Sequence, residues 1–186
     1  MRIAVSGTHC MGKSTLIQDF IELYPHYRCE IEAYYKLQEV KTMEVAQTPT
    51  FESLVEQLDF SIHQIHQNAQ ESLVIFDRCP IDYIAYAMLE AAYDEIDIHQ
   101  TEIADRFPEV KEALNLLDLI IFIPMHRAYP IAYHEENPEY RKEADHCFKR
   151  IYRDDVCDIF PKFNHPRIVE VFGDRKKRIQ TLKLYL

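Results

Sequence analysis

A chain of 186 residues, 47% hydrophobic and 28% charged, suits one compact domain with a substantial core, expected here to span residues 1–186. Its formal net charge of −10 argues against nucleic acid as a partner and against a polybasic membrane anchor. Five scattered cysteines, no C-x-x-C pair, no apolar leader and no apolar run of membrane-spanning length point to reduced thiols and a cytoplasmic protein.

The first element is a short apolar strand over residues 2–6, running into Gly7-Thr8-His9-Cys10-Met11-Gly12-Lys13-Ser14 and then a helical stretch from Lys13 to Tyr24 that Pro25 ends. The loop reads G-x-x-x-x-G-K-S/T, the phosphate-binding P-loop, in the strand–loop–helix context that the motif requires. Only three glycines occur in the chain, and Gly7 and Gly12 occupy the motif's two glycine positions. Glycines let the backbone turn its N–H groups onto phosphate oxygens, and the helix N-terminus adds partial positive charge. Lys13 suits the β- and γ-phosphates, Ser14 can ligate Mg²⁺, and residues 7 to 15, ending at Thr15, are the expected triphosphate cradle.

A polar second strand is expected over 27–31. It ends near Glu30 and Glu32, followed by Tyr34-Tyr35. One carboxylate facing an acceptor substrate, with a tyrosine such as Tyr35 packing on it, is the functional reading; a helix start carrying surface carboxylates is the alternative. Residues 50–71 read as a long helix with Thr50 as N-cap, and His63 and His66 at i, i+3 read as helix surface.

Residues 72–77 form a buried-strand run ending in Asp77, followed by Arg78-Cys79-Pro80. In open α/β sheets ligands bind beyond the carboxyl ends of the strands. An acid there can join the Mg²⁺ shell or take a proton from an attacking hydroxyl, and the arginine can grip an anion or orient that acid. A helix over 81–93, an acidic loop over 94–100, a helical stretch over 103–117 with a break expected at Pro108, and a buried strand over 118–123 follow.

Residues 125–138 are irregular and carry Arg127; a basic helix over 139–159 carries Arg141. A helical lid over about 125–142, closing Arg127 or Arg141 on the phosphates, is expected. A last strand over 167–172 ends at Gly173, and residues 174–178 open a C-terminal helix. Strands alternating with helices predict an α/β fold with a parallel sheet.

The chain carries no N-K-x-D guanine signature, and no glutamate follows Asp77. Phosphoryl transfer to a small acceptor fits better than a mechanical ATPase. The segments SGTHCMGKSTL, IFDRCPIDYIAYA and VEVFGDRKKRI resemble the P-loop nucleoside and nucleotide kinases. More narrowly, they are similar to the kinase-like ATPases that include the ribosylnicotinamide kinase domain of bacterial NAD-biosynthesis regulators. The resemblance implies a P-loop NTPase fold, three layers α/β/α, with five parallel strands in order 2-3-1-4-5. It implies ATP and Mg²⁺ on residues 7 to 15, and adenine packed near Gly173 and Arg178. Asp77, Arg78 and Glu32 match the family's acid, its neighbouring arginine and the carboxylate after the second strand. The closely spaced lid arginines of the deoxynucleoside kinases and the tryptophan segments of the ribosylnicotinamide kinases have no counterpart here.

The expected reaction is phosphoryl transfer from ATP to the hydroxyl of a nucleoside-like acceptor. Lys13 and Arg127 or Arg141 would neutralise charge, Asp77 or Glu32 would act as base, and Ser14 and Asp77 would hold the metal. A regulatory NTPase without an acceptor and a nucleoside monophosphate kinase are the competing readings. A homodimer is compatible with either class.

Overall fold

The three central strands, over 2–6, 74–77 and 119–122, are short and mainly apolar runs without polar alternation, the pattern of strands covered on both faces, whereas the two edge strands, over 28–30 and 167–170, carry Arg and Glu at their ends. In the computed structural model, which describes residues 1–41, 50–128 and 137–186, they form one parallel sheet. The strands are β1 (Arg2–Ser6), β2 (Arg28–Glu30), β3 (Val74–Asp77), β4 (Leu119–Phe122) and β5 (Arg167–Glu170), in the order β2-β3-β1-β4-β5. The strand order is the one implied by the resemblance.

Register aligns the carboxyl ends: Val5 stands opposite Asp77, Ser6 opposite Phe122, and Glu30 opposite Phe76. Period-two alternation splits the strand side chains between two cores. Ile3, Val5, Ile75, Leu119 and Ile121 pack with Leu16, Phe20 and Leu182 of α1 (Lys13–Leu23) and α8 (Arg175–Leu182). On the other face, Ala4, Val74, Phe76, Ile120 and Phe122 pack with α3 (Phe51–Gln67), α4 (Pro80–Tyr93) and α7 (Pro138–Asp154). The result is three layers.

Local chemistry sets the helix ends. Gly12, at φ 78°, opens α1 without a side-chain cap, so the first N–H groups stay available to a ligand. Thr50 caps α3 by accepting Ser53 N–H at 3.2 Å. Cys79 opens α4 in a capping box: the Asp82 carboxylate takes the Cys79 N–H, and Pro80 sits at the first helical position. Asp174 caps α8 through Lys177 N–H at 2.8 Å.

Several elements differ from expectation, among them α3, which ends at Gln67 rather than at 71, and β5, which ends at Glu170 rather than at 172. A helix α2 (Ala33–Lys41) follows β2 directly. The 103–117 stretch is two helices, α5 (Glu102–Asp105) and α6 (Phe107–Asn115); the break falls at Arg106, and Pro108 sits within the first turn of α6. The acidic loop holds a 3₁₀ turn, Ile98–Gln100. The basic helix α7 stops at Asp154, five residues early, because Asp155 adopts a left-handed φ of 44°. Of the expected lid, residues 129–136 lie outside the described residues; 138–142 are the first turns of α7, capped by Asn137. Among the described residues no helix is long and apolar enough to cross a membrane.

Candidate active site at the carboxyl edge of the sheet

The P-loop joins the end of β1 to α1, and its shape rests on close backbone approach. Gly7 has φ 140°, and a Cβ there would lie 2.6 Å from the Ile123 carbonyl oxygen just past β4. Only glycine fits. The Gly7 N–H donates to Asp82 Oδ1 at 3.2 Å. Lys13 is buried, and its Nζ donates to the carbonyls of Gly7 at 2.8 Å and Thr8 at 2.9 Å. Burial first, and then the positive charge of Arg78, pull the Lys13 pKa down to about 8.

Ser14, in the first turn of α1, donates its hydroxyl to Asp77 Oδ2 at 3.1 Å. The other oxygen, Asp77 Oδ1, is buried with no hydrogen-bond partner among the described residues. Burial raises the Asp77 pKa, against the pull of Lys13. An unsatisfied carboxylate oxygen beside a hydroxyl at a phosphate cradle is a donor set suited to a hard divalent cation.

Arg78 turns away from Asp77 because it sits at φ 77°. Its guanidinium ion-pairs with Glu32 through Nε, reaches Asp82 Oδ1 at 3.2 Å through Nη1, and lies 5.6 Å from the centroid of the Tyr86 ring. Burial opposes its charge, but Glu32, Tyr86 and Asp82 outweigh it and hold the group protonated. The Tyr86 hydroxyl accepts the His9 N–H at 2.8 Å and lies 3.3 Å from Thr8 Oγ1. The rings of His9, Tyr86 and Tyr140 form a triangle, with centroid distances of 6.1 Å from His9 to Tyr86, 6.0 Å from His9 to Tyr140 and 6.4 Å between the tyrosines. Burial, then Arg78, Lys13 and Arg141, push the His9 pKa down to about 4, so the ring is neutral near pH 7.

The structure thus brings Lys13, Ser14, Asp77, Arg78 and Glu32 to one edge, with Arg141 close enough for its charge to act on His9. Glu30 stands apart, held by Lys36 at 3.1 Å and Arg28 at 3.2 Å. Tyr35 is 56% exposed on α2 and joins none of these contacts, and Arg127 is exposed beyond β4. Arg178 meets the P-loop from the α8 side: its Nη1 donates to the Met11 carbonyl at 2.6 Å, while its Nε holds the Gly173 carbonyl at 2.8 Å. Cys10 takes a left-handed φ of 56° within the loop, and all five cysteines are free thiols. His63 and His66 are exposed, and no metal-holding group of three His, Cys, Asp or Glu exists among the described residues.

Sequence reasoning missed Asp82, Tyr86 and Tyr140. The first two had a signal: Asp82 and Tyr86 follow Arg78 by four and eight residues, a polar pair on one face of the largely apolar α4. Tyr140 had none, since it joins the site from a distant helix.

No curated protein sequence matches the chain significantly. Among solved structures, it is similar to deoxyadenosine kinase from M. mycoides with products dCMP and a flexible dCDP bound, at 20% identity and TM-score 0.66, covering 100% of this chain and 98% of that one. The same kinase with bound dATP matches at 20% identity and TM-score 0.67, over the same shares of both chains. The NadR protein in complex with NR matches at 16% identity and TM-score 0.60, over 93% of this chain and 44% of the other. At these identities the likeness is one of fold. The AAA domain model (AAA_28) matches residues 2–178, and the chain belongs to that family.

Proposed function

We propose that this protein is a P-loop kinase that transfers the γ-phosphoryl group of ATP to the hydroxyl of a small, nucleoside-like acceptor. The observation that carries the reading is the Glu32–Arg78–Asp82 pairing beside the Lys13 cradle, since it sets a carboxylate and a fixed cation next to a triphosphate site. The P-loop residues Gly7, Thr8, His9, Cys10, Met11, Gly12, Lys13, Ser14 and Thr15 hold the phosphates. Lys13 releases its contacts to the Gly7 and Thr8 carbonyls to meet the γ-phosphoryl oxygens, and Arg141 adds charge from α7. Asp77 and Ser14 fit Mg²⁺, because Asp77 Oδ1 lacks a partner among the described residues. When bound, the ion neutralises charge on the phosphate oxygens.

With Asp77 engaged by Ser14, Glu32 is the better base for the acceptor hydroxyl. Arg78 orients its carboxylate. Most of the rate enhancement then comes from positioning and electrostatics. The free thiols support a reducing, cytoplasmic setting.

The family match favours a second reading, an NTPase without a small acceptor. Against it, Asp77 is followed by Arg78 rather than by a glutamate that could activate water. A nucleoside monophosphate kinase needs cations for an acceptor phosphate, whereas Arg78 is already paired with Glu32 and Asp82. The deciding experiment measures ADP release from Mg²⁺-ATP with nucleosides, nicotinamide riboside, nucleoside monophosphates and small alcohols. Strong stimulation by one unphosphorylated acceptor, lost in Lys13→Ala and Glu32→Gln, is expected. Hydrolysis indifferent to every acceptor refutes the kinase.

A further inference from the structure

Arg178, the fourth residue of α8, is only 7% exposed. Its Nη1 donates to the Met11 carbonyl at 2.6 Å and its Nε to the Gly173 carbonyl at 2.8 Å. A Cβ on Gly12 would lie 3.3 Å from Nη1, so the guanidinium presses against the turn that enters α1. Among the described residues no carboxylate lies within ion-pair distance of it. Asp174, which acts on its charge, gives its carboxylate to the Lys177 N–H.

A buried cation that meets only carbonyl oxygens is costly in isolation. An anion arriving on the other side of the same turn offsets that cost. The resemblance implied that adenine packs near Gly173 and Arg178; here two of the five guanidinium N–H donors engage backbone carbonyls, one of them in the P-loop itself.

We propose that Arg178 is a positioning residue for the polyphosphate: it fixes the Met11–Gly12 turn and supplies a positive charge that the bound phosphates offset. This rests on the triphosphate-binding part of the proposed function and is independent of any acceptor. Helix α8 is also tied to α1 by Arg175, whose Nε donates to Asp19 Oδ2 at 3.0 Å. That exposed pair holds the same two helices without touching the P-loop, which makes it a control for simple helix docking.

The test is calorimetric titration of the full chain with tripolyphosphate and with ATP at fixed Mg²⁺, for wild type, Arg178→Ala, Arg178→Lys and Arg175→Ala. Arg178→Ala is expected to weaken both ligands by the same factor, about tenfold or more, because a charged hydrogen bond and its charge are lost together. Arg178→Lys should recover part of the loss, keeping the charge with one carbonyl contact, while Arg175→Ala leaves both affinities within about twofold. Should Arg178→Ala fail to fold, Arg178→Lys carries the test, with both ligands weakened several-fold in parallel. Weakened ATP with unchanged tripolyphosphate would assign Arg178 to the base and overturn the proposal. Unchanged binding of both ligands in the Arg178 variants, or an equal loss in Arg175→Ala, overturns it as well. A wild-type chain that binds neither ligand removes the nucleotide reading itself, and this proposal with it.

Discussion

Replacing Asp82 with alanine perturbs one carboxylate that ties the P-loop to the turn between β3 and α4. Its Oδ1 accepts from Gly7 N–H at 3.2 Å and from Arg78 Nη1 at 3.2 Å, and its Oδ2 accepts from Cys79 N–H at 3.1 Å. The side chain is wholly buried, so water cannot stand in for it. Hydrogen bonds to a charged acceptor contribute about 1.5–3 kcal/mol each, and two buried N–H groups lose theirs. Arg78 keeps Glu32, which limits the electrostatic part of the loss. The sum comes to about 3–5 kcal/mol, the range for breaking a buried, hydrogen-bonded charge pair. Against a typical total of about 5–15 kcal/mol that is a large share of the stability.

For a chain of this length the melting temperature should fall by roughly 6–20 °C. Urea unfolding followed by circular dichroism measures the effect directly: the midpoint should drop with an unchanged slope. A loss below about 1 kcal/mol would refute the reasoning, since it would mean that the carboxylate is dispensable to Gly7, Arg78 and Cys79 together.

Lys13 makes stability pH-dependent. Its pKa is about 8 when folded against an ordinary value of 10.5, so between those values the unfolded chain binds more protons and stability rises with pH. Urea unfolding of wild type and Lys13→Met across that range isolates the effect as a rising difference; a flat one refutes the burial argument. His9 should titrate near pH 4 rather than 6.5 in an NMR experiment, and its contribution to stability is lost as pH falls between those values. A midpoint above 6 would mean that it is not packed under Arg78, Lys13 and Arg141. Gly7→Ala should cost more stability than Gly12→Ala, because its new Cβ meets the Ile123 backbone at 2.6 Å whereas that of Gly12 meets the Arg178 side chain at 3.3 Å. The reverse order in urea unfolding would contradict that geometry.

How far the sequence reading reached depends on the range of each interaction. The P-loop and the five strands rest on neighbours in the chain, glycine conformations and apolar runs, and these were readable. The end of α7 was not, because Cys157, Ile159 and Phe160 stay buried after the helix stops and so prolong its apolar spacing. The stop comes from a left-handed Asp155, a residue type with no strong terminating signal. Helix α2 was obscured by carboxylates and tyrosines that serve a strand end or a helix start equally well. In the site, Asp77 and Arg78 stand out by position alone. The partners of Glu30 and Glu32 were not legible in the sequence, since only the fold shows that Lys36 and Arg28 engage the first and Arg78 the second.

The turn after β3 explains why one strand end can serve both halves of the site. The Arg78 N–H bonds the Val5 carbonyl at 3.0 Å, which extends the β1–β3 ladder one step past Asp77 and fixes that carboxylate beside Ser14. The left-handed φ of 77° then redirects the chain, so that Arg78 does not follow the strand's alternation but faces β2. There it meets Glu32, which is adjacent only because β2 lies next to β3 rather than next to β1. Pro80 commits the chain to α4 two residues later, and the four-residue spacing brings Asp82 back beneath Gly7 and Tyr86 beneath His9. Any change that relaxes φ at residue 78 should therefore uncouple Glu32 from the P-loop even with every site side chain still present. Arg78→Gly frees that torsion and removes the cation together, and it should abolish acceptor-dependent turnover while ATP binding persists; turnover at the wild-type rate would refute the coupling.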